Sequence, residues 1–128
     1  MKTEYISQEN ADRLYRILNR ASGCYFKVYD TESHVITTRF PEKLIMAIDG
    51  GDEEIRIEIY DHSERVYRGT LYLLPYEEDS MPYDWSDNAF MDKLLDFWGR
   101  ENIQKLFQIV KQNDATSIAT SPNGSVAG

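Results

Sequence analysis

The sequence predicts one domain of the α+β class over residues 1–112, with an N-terminal helix, an antiparallel meander of four or five strands and a C-terminal helix pair. Three observations lead to this prediction. Apolar residues recur with helical spacing near both ends of this range, and they alternate with polar residues in its middle. The connections between the alternating segments are too short for parallel crossovers. Residues 113–128 lack periodicity and carry one charge, so we expect a flexible tail.

The N-terminal helix is predicted over residues 7–20. Apolar side chains recur there at intervals of three and four residues between Ala11 and Leu18, which places them on one helix face. Ser7 is a suitable N-cap, and Gly23 lies just beyond the predicted end.

Alternating segments predict the strands. Ile55, Ile57 and Ile59 alternate with polar residues and give the clearest strand of the chain. The apolar run at 44–48 and the sequence DGGD after it predict a central hairpin, because glycine supplies the positive φ that tight hairpin turns require. Residues 24–30 and 54–61 alternate, and residues 34–40 and 66–74 are predicted as the return strands that follow them.

The C-terminal helices are predicted near residues 87–98 and 101–111. Each segment has an apolar face of helical period, and Ser86 is a suitable N-cap for the first. Gly99 separates the two segments. The alternative is one long helix that bends at Gly99, since a single glycine costs only about 1 kcal/mol relative to alanine.

The net charge of −8 is concentrated in two blocks of the chain. Residues 42–64 contain eight acidic and two basic residues, and residues 77–96 contain seven acidic residues and one lysine. If the two blocks lie side by side in the fold, they form one negative surface that attracts a basic partner and speeds its association.

The second block also contains large aromatic residues, in the sequence YEEDSMPYDWSD. Tyrosine and tryptophan are enriched at protein interfaces and dominate binding hot spots, so this loop is a candidate binding surface. The alternative is structural, with Trp85 packed beneath the sheet and the acidic residues solvated. The predicted partner-binding residues are Asp52, Glu53, Glu54, Glu77, Glu78, Asp79, Tyr83, Asp84 and Trp85.

The sequence lacks the usual motifs of enzymes and metal sites. His34 and His62 have no companion motif, and Cys24 falls on the inward side of a predicted strand. DGGD lacks the lysine of a phosphate-binding loop, and no CxxC or HExxH occurs. We therefore predict a protein that is not an enzyme and uses neither a metal nor a cofactor.

Charge and hydropathy also restrict the partners. An acidic chain is repelled by the phosphates of nucleic acid, and no segment has the ~20 apolar residues of a membrane helix, so we expect neither direct nucleic-acid binding nor a membrane location. A single cysteine gives no indication of an oxidising compartment, which favours the cytoplasm.

Two functional hypotheses follow. The first is a small acidic protein-binding module, such as an inhibitor or nucleic-acid mimic, that covers the basic surface of a nucleic-acid-handling enzyme or toxin in an anti-defence or immunity system. The second is a homodimeric structural or assembly module, in which an edge strand or the exposed tyrosines of the sheet form a symmetric contact. Those tyrosines are Tyr25, Tyr29 and Tyr60.

Overall fold

Three helices and five strands form the described part of the fold. A computed structural model of the chain describes residues 2–51, 53–77 and 80–96. Contacts divide the chain into the units Met1–Leu94 and Leu95–Gly128, and all eight elements belong to the first. In chain order these are α1 (Gln8–Arg20), β1 (Cys24–Asp30), β2 (Ser33–Thr38), α2 (Pro41–Ile48), β3 (Ile55–Asp61), β4 (Tyr67–Leu73), β5 (Asp84–Trp85) and α3 (Ala89–Leu94). The predicted α+β class is confirmed.

The five strands form one antiparallel sheet in the order β2-β1-β3-β4-β5. β1 lies between β2 and β3, with Asp30 opposite both Ser33 and Ile55. The chain therefore leaves β2 at one edge of the sheet, passes through α2 and returns on the other side of β1. The bounds of β1 to β4 lie within two residues of the predicted segments, whereas the position of β5 was not predicted.

The predicted central hairpin is wrong, because residues 44–48 belong to α2. Pro41 occupies the first turn of this helix, where a missing N–H costs nothing. Leu44, Ile45 and Ile48 are buried at helical spacing. The sequence DGGD thus connects a helix to a strand, and Gly50 adopts a φ of 114°, a backbone conformation that favours glycine.

One face of the sheet forms the core together with the helices. α2 packs against β1 and β2, α3 packs against β4, and α1 packs against α2. At its C-terminal end, Arg20 of α1 donates hydrogen bonds to the carbonyl oxygens of Lys93 and Leu94. The sheet residues buried almost completely on this face are Phe26, Val28, Ile55, Ile57, Ile59, Leu71 and Leu73.

The beginning of α3 differs from the prediction. The N-cap role predicted for Ser86 belongs to Asn88, whose Oδ1 accepts a hydrogen bond from the N–H of Met91 at 2.9 Å. Ser86 instead accepts a hydrogen bond from the N–H of Thr70 at 2.9 Å, and so extends the β4–β5 pairing. The predicted helix over 101–111, the break at Gly99 and the tail over 113–128 lie outside the described residues.

Candidate functional site

The two acidic blocks meet at one end of the sheet, where β1 and β4 finish and β3 and β5 begin, because of the strand register. Ile55 at the start of β3 lies opposite Asp30 at the end of β1 and Leu73 at the end of β4. Asp84 at the start of β5 lies opposite Tyr72. The segments that precede β3 and β5 therefore enter the sheet at the same end of the strands.

Hydrogen bonds in which a hydroxyl group donates or accepts connect these segments. Tyr83, before β5, donates a hydrogen bond to a carboxylate oxygen of Glu54, before β3. The hydroxyl oxygen of Tyr76 accepts a hydrogen bond from the N–H of Gly50 at 2.8 Å. Thr31, in the β1–β2 turn, donates a hydrogen bond to the carboxylate of Glu53.

We call this surface at the strand ends the acidic edge. Its members are Glu53, Glu54, Tyr76, Glu77, Tyr83 and Asp84. All six side chains are exposed, with 44 % of the accessible surface retained at Tyr76 and 42 % at Tyr83. Within the part of the chain that the structure describes, none of the four acidic residues forms an ion pair. Their charges are therefore not neutralised by the described lysine and arginine residues.

The base nearest to the acidic edge in sequence has other partners. The Nε of Arg56 lies 3.5 Å from a carboxylate oxygen of Glu58, and its guanidinium carbon lies 4.5 Å from the ring centroid of Tyr29. Arg56 thus pairs with Glu58, on the face of the sheet away from Ile55, Ile57 and Ile59, rather than with Glu54.

The contact with Glu54 changes the acidity of Tyr83. The hydrogen bond to the carboxylate, together with burial and the negative charges of Glu54 and Asp84, raises the pKa of Tyr83 to about 12. The phenol therefore stays protonated at neutral pH and continues to donate to Glu54.

Asp49, another member of the first acidic block, has a structural role. Its carboxylate accepts hydrogen bonds from the backbone N–H groups of Glu4, Tyr5 and Ile6 at 2.6, 2.9 and 2.8 Å. Burial alone would raise the pKa of Asp49, but the three N–H donors outweigh it and lower that pKa below its ordinary value. Asp49 therefore fixes the segment before α1 and is not part of the acidic edge.

The loop after β4 is held against α1 by a buried amide. The Nδ2 of Asn10 donates to the carbonyl oxygens of Pro75 at 3.2 Å and Glu77 at 3.3 Å. Both carbonyl groups lie next to Tyr76, so this contact positions the tyrosine and Glu77 at the acidic edge.

The predicted binding residues separate into three groups. The structure brings Glu53, Glu54, Glu77, Tyr83 and Asp84 together. It places Trp85 half-buried in β5 opposite Leu71, on the core face of the sheet. Asp52, Glu78 and Asp79 lie outside the described residues.

Sequence reasoning missed a group of basic residues at the opposite end of the strands. Arg39 follows β2, and His62 and Arg65 belong to the turn between β3 and β4. Together they border a cavity of about 240 Å³. In the sequence, these basic residues follow the ends of two strands. Predicting that they meet would have required the knowledge that β2 and β3 both flank β1.

Potential metal ligands are scattered over the described residues, and Cys24 is buried. The described residues contain no cluster of three or more His, Cys, Asp or Glu side chains that could hold a metal ion. Burial and the nearby charge of Asp61 raise the pKa of the Cys24 thiol, which disfavours the reactive thiolate. In the same part of the chain, no helix has the length and apolar character needed to cross a bilayer.

Comparison with known proteins found no match to this chain. No family model matches it, and neither does any curated protein or solved structure.

Proposed function

We propose that this chain is a non-enzymatic protein-binding module whose acidic edge docks onto the basic surface of a protein partner. The observation that carries the proposal is the manner in which Glu53 and Glu54 are held. Hydroxyl groups of Thr31 and Tyr83 orient the two carboxylates, and no described cation neutralises them. Their geometry is thus fixed while their charge stays available to a partner.

The tyrosines supply what carboxylates alone lack. Charged groups at the rim of an interface mainly steer association, whereas buried aromatic anchors supply most of the binding energy. Tyr76 and Tyr83 are exposed beside the acidic groups, and each is already held by a hydrogen bond. Side chains that are ordered before binding lose less conformational entropy when the complex forms.

The chemistry of the edge indicates the class of partner. Carboxylates presented in fixed positions are matched by arginine and lysine side chains that otherwise contact phosphate groups. We therefore infer a partner that handles nucleic acid, either an enzyme or a toxin, and a blocking role as an inhibitor or nucleic-acid mimic. We expect the interaction to take place in the cytoplasm, because the chain has a single, buried cysteine.

The test compares two charge-matched triple variants of the full chain. The first replaces Glu53, Glu54 and Glu77 with glutamine. The control replaces Glu42 and Glu64 with glutamine and Asp92 with asparagine, which removes the same charge from exposed positions elsewhere. Each protein is immobilised and exposed to a lysate of its host at low and high salt, and the retained proteins are quantified by mass spectrometry.

The proposal predicts a retained basic protein whose recovery falls with salt and is lost with the first variant only. With that partner purified, the association rate at low salt should fall roughly tenfold or more for the first variant. Equal recovery with both variants would show that the acidic edge is not the binding surface.

A second candidate function is a homodimer formed through β2. This strand lies at the edge of the sheet, so one side of its backbone has no partner strand in the described residues. Three large apolar side chains near that edge are exposed, with 37 % of the surface accessible at Val35, 55 % at Phe40 and 49 % at Met46. Two copies of β2 could pair antiparallel and cover these side chains.

The tyrosines predicted for such a dimer also have ring contacts within the chain. The rings of Tyr25 and Tyr60 are stacked with centroids 5.2 Å apart, and Tyr29 packs edge-on against His34. Sedimentation velocity separates the two candidates. A dimer that resists salt and dissociates on Val35→Lys would support the homodimer, and a monomer at all concentrations would exclude it.

A further inference from the structure

A cavity lies at the opposite end of the strands from the acidic edge. Its lining has the composition of an anion site. The cavity measures about 240 Å³ and lies between the end of β2, the start of β1 and the β3–β4 turn. The length of a seven-residue strand, roughly 20 Å, separates this cavity from the acidic edge. The residues that line the cavity are Tyr25, Thr37, Thr38, Arg39, His62 and Arg65.

The β3–β4 turn holds two of these residues in fixed positions. The carboxylate of Asp61 accepts hydrogen bonds from the N–H of Glu64 at 2.8 Å and the hydroxyl of Ser63 at 2.9 Å. The N–H of His62 donates to the carbonyl oxygen of Gly23 at 2.8 Å, which ties the turn to the start of β1. Arg65 has a φ of 58°, in the left-handed region that few residues other than glycine adopt.

The two arginines of the cavity are not neutralised by their neighbours. Neither Arg39 nor Arg65 forms an ion pair with any residue that the structure describes. The nearby carboxylates of Asp61 and Glu64 lie 3.6 and 4.0 Å from Arg68 instead. Two guanidinium groups without an ion-pair partner among the described residues thus border one small cavity in a chain whose net charge is −8.

An aromatic wall completes the cavity. The ring of Tyr25 is held against Tyr60 in a stacked arrangement, with an angle of 10° between the ring planes. His62 packs edge-on against Tyr25 with a centroid distance of 6.2 Å. The cavity therefore combines guanidinium donors with a fixed, planar aromatic surface.

We infer that this cavity binds a nucleoside monophosphate. Arg39 and Arg65 would contact the phosphate, since guanidinium groups match the geometry of phosphate oxygens, and Tyr25 would pack against the base. The acidic chain would repel a long polyanion, which favours a mononucleotide over a nucleic-acid strand.

Isothermal titration calorimetry of the full chain tests this site. The ligands are adenosine monophosphate, adenosine, ribose 5-phosphate, inorganic phosphate and a single-stranded oligonucleotide with a 5′-phosphate. We expect the nucleotide to bind. Adenosine, ribose 5-phosphate and inorganic phosphate should bind at least roughly tenfold more weakly, because each lacks either the phosphate or the base. Amide chemical shifts should move at the cavity and not at the acidic edge.

Substitutions assign the binding to these residues. Arg39→Ala and Arg65→Ala should each weaken nucleotide binding roughly tenfold, whereas the control Lys2→Ala removes the same charge without effect. Tyr25→Leu should weaken binding, and Tyr25→Phe, which retains the ring, should restore most of it.

Three results would overturn the inference. They are no nucleotide binding at about millimolar concentration, binding unaffected by both arginine substitutions in variants with native circular dichroism, and equal affinity for the nucleotide and either adenosine or inorganic phosphate. Tighter binding of the oligonucleotide than of the mononucleotide would overturn the commitment to a small ligand. None of these results depends on the acidic edge, so the proposed function stands or falls separately.

Discussion

Tyr83 donates a hydrogen bond to Glu54, although the two residues are 29 positions apart in the chain. The bond connects the segment that enters β5 to the segment that enters β3, and so joins the two acidic blocks into one surface. A tyrosine hydroxyl orients the carboxylate without neutralising it. This relationship distinguishes the acidic edge from acidic residues that are paired within the fold, such as Asp61 with Arg68.

The first prediction concerns the ionisation of Tyr83. Because its pKa is raised from 10.0 to about 12, the hydrogen bond stabilises the fold fully below pH 10 and this contribution is lost as the pH rises through about 12. In Glu54→Gln the negative acceptor is absent, so the pKa of Tyr83 should move back toward its ordinary value. Nuclear magnetic resonance of labelled tyrosine rings gives the titration curve of each residue.

Tyr60 is the internal control for this titration. Its pKa is also raised to about 12, by burial and by its hydrogen bond to Glu58, far from the acidic edge. Glu54→Gln should leave the titration of Tyr60 unchanged. An equal shift at both tyrosines would indicate a general change in the fold, and no shift at Tyr83 would contradict its contact with Glu54.

The second prediction concerns the anchoring of the N-terminal segment by Asp49. Asp49→Asn retains one acceptor oxygen but loses the negative charge that three N–H donors share. Hydrogen bonds to charged groups are worth about 1.5–3 kcal/mol, and partial solvent exposure reduces this, so we expect a loss of about 1–2 kcal/mol in the free energy of unfolding. Chemical denaturation at neutral pH measures it.

The pH dependence of this contribution has a definite sign. The pKa of Asp49 in the folded protein lies below its ordinary value of 3.8, so its contribution is present above pH 3.8 and is lost as the pH falls through the folded pKa. The difference between the wild type and Asp49→Asn should therefore shrink on acidification. A difference that stays constant down to strongly acidic pH would show that the charge is not responsible.

The parts of the fold that sequence could predict are those with a visible period. The alternation in residues 24–30 predicted β1 with its observed bounds, Cys24–Asp30, and helical spacing predicted α1 over 7–20 against the observed Gln8–Arg20. A period reveals which side of an element faces the core. The run at 44–48 is apolar at every position and has no period, so α2 could not be recognised from it.

Much of the candidate site depends on long-range pairing, which a single sequence does not reveal. Counting charges identified the two acidic blocks, but their meeting depends on β3 pairing with β1 and on β5 pairing with β4. The basic cavity has the same origin, because Arg39 and Arg65 come together only when β2 and β3 flank β1. The two-residue strand that contains Trp85 is too short to show alternation.

A third prediction tests the packing of α3 on the sheet. A Cβ added to Gly69 in β4 would lie 2.5 Å from both Cγ and the sulfur of Met91, which is fully buried. Alanine normally stabilises a strand relative to glycine, but here Gly69→Ala should cost about 1–3 kcal/mol through overpacking. Thermal and chemical denaturation measure the loss.

A shorter side chain at position 91 should relieve that clash. Met91→Ala alone creates a cavity and destabilises the protein. In combination with Gly69→Ala, the total loss should be smaller than the sum of the two single losses, because the added methyl group fills part of the space. Strict additivity in this double-mutant cycle would mean that the two residues are not in contact.

The last prediction concerns the buried amide that holds the β4–β5 loop. Asn10→Asp keeps the shape of the side chain but replaces its N–H donor with a carboxylate that faces the carbonyl oxygens of Pro75 and Glu77. The new charge lies in the first turn of α1, where the helix dipole favours acids, so any destabilisation arises from the lost donor and not from the helix. We expect a loss of about 2–3 kcal/mol.

Asn19→Asp is the matched control, because it makes the same chemical change at an exposed position of α1. Near the C-terminal end of the helix an acid is unfavourable, but only by about 0.3–1 kcal/mol. Amide hydrogen exchange should accelerate at Tyr76 and Glu77 for Asn10→Asp and not for Asn19→Asp, since only the former releases the loop from α1. If the two variants were equally stable and showed equal exchange, Asn10 would not position Tyr76 and Glu77 at the acidic edge.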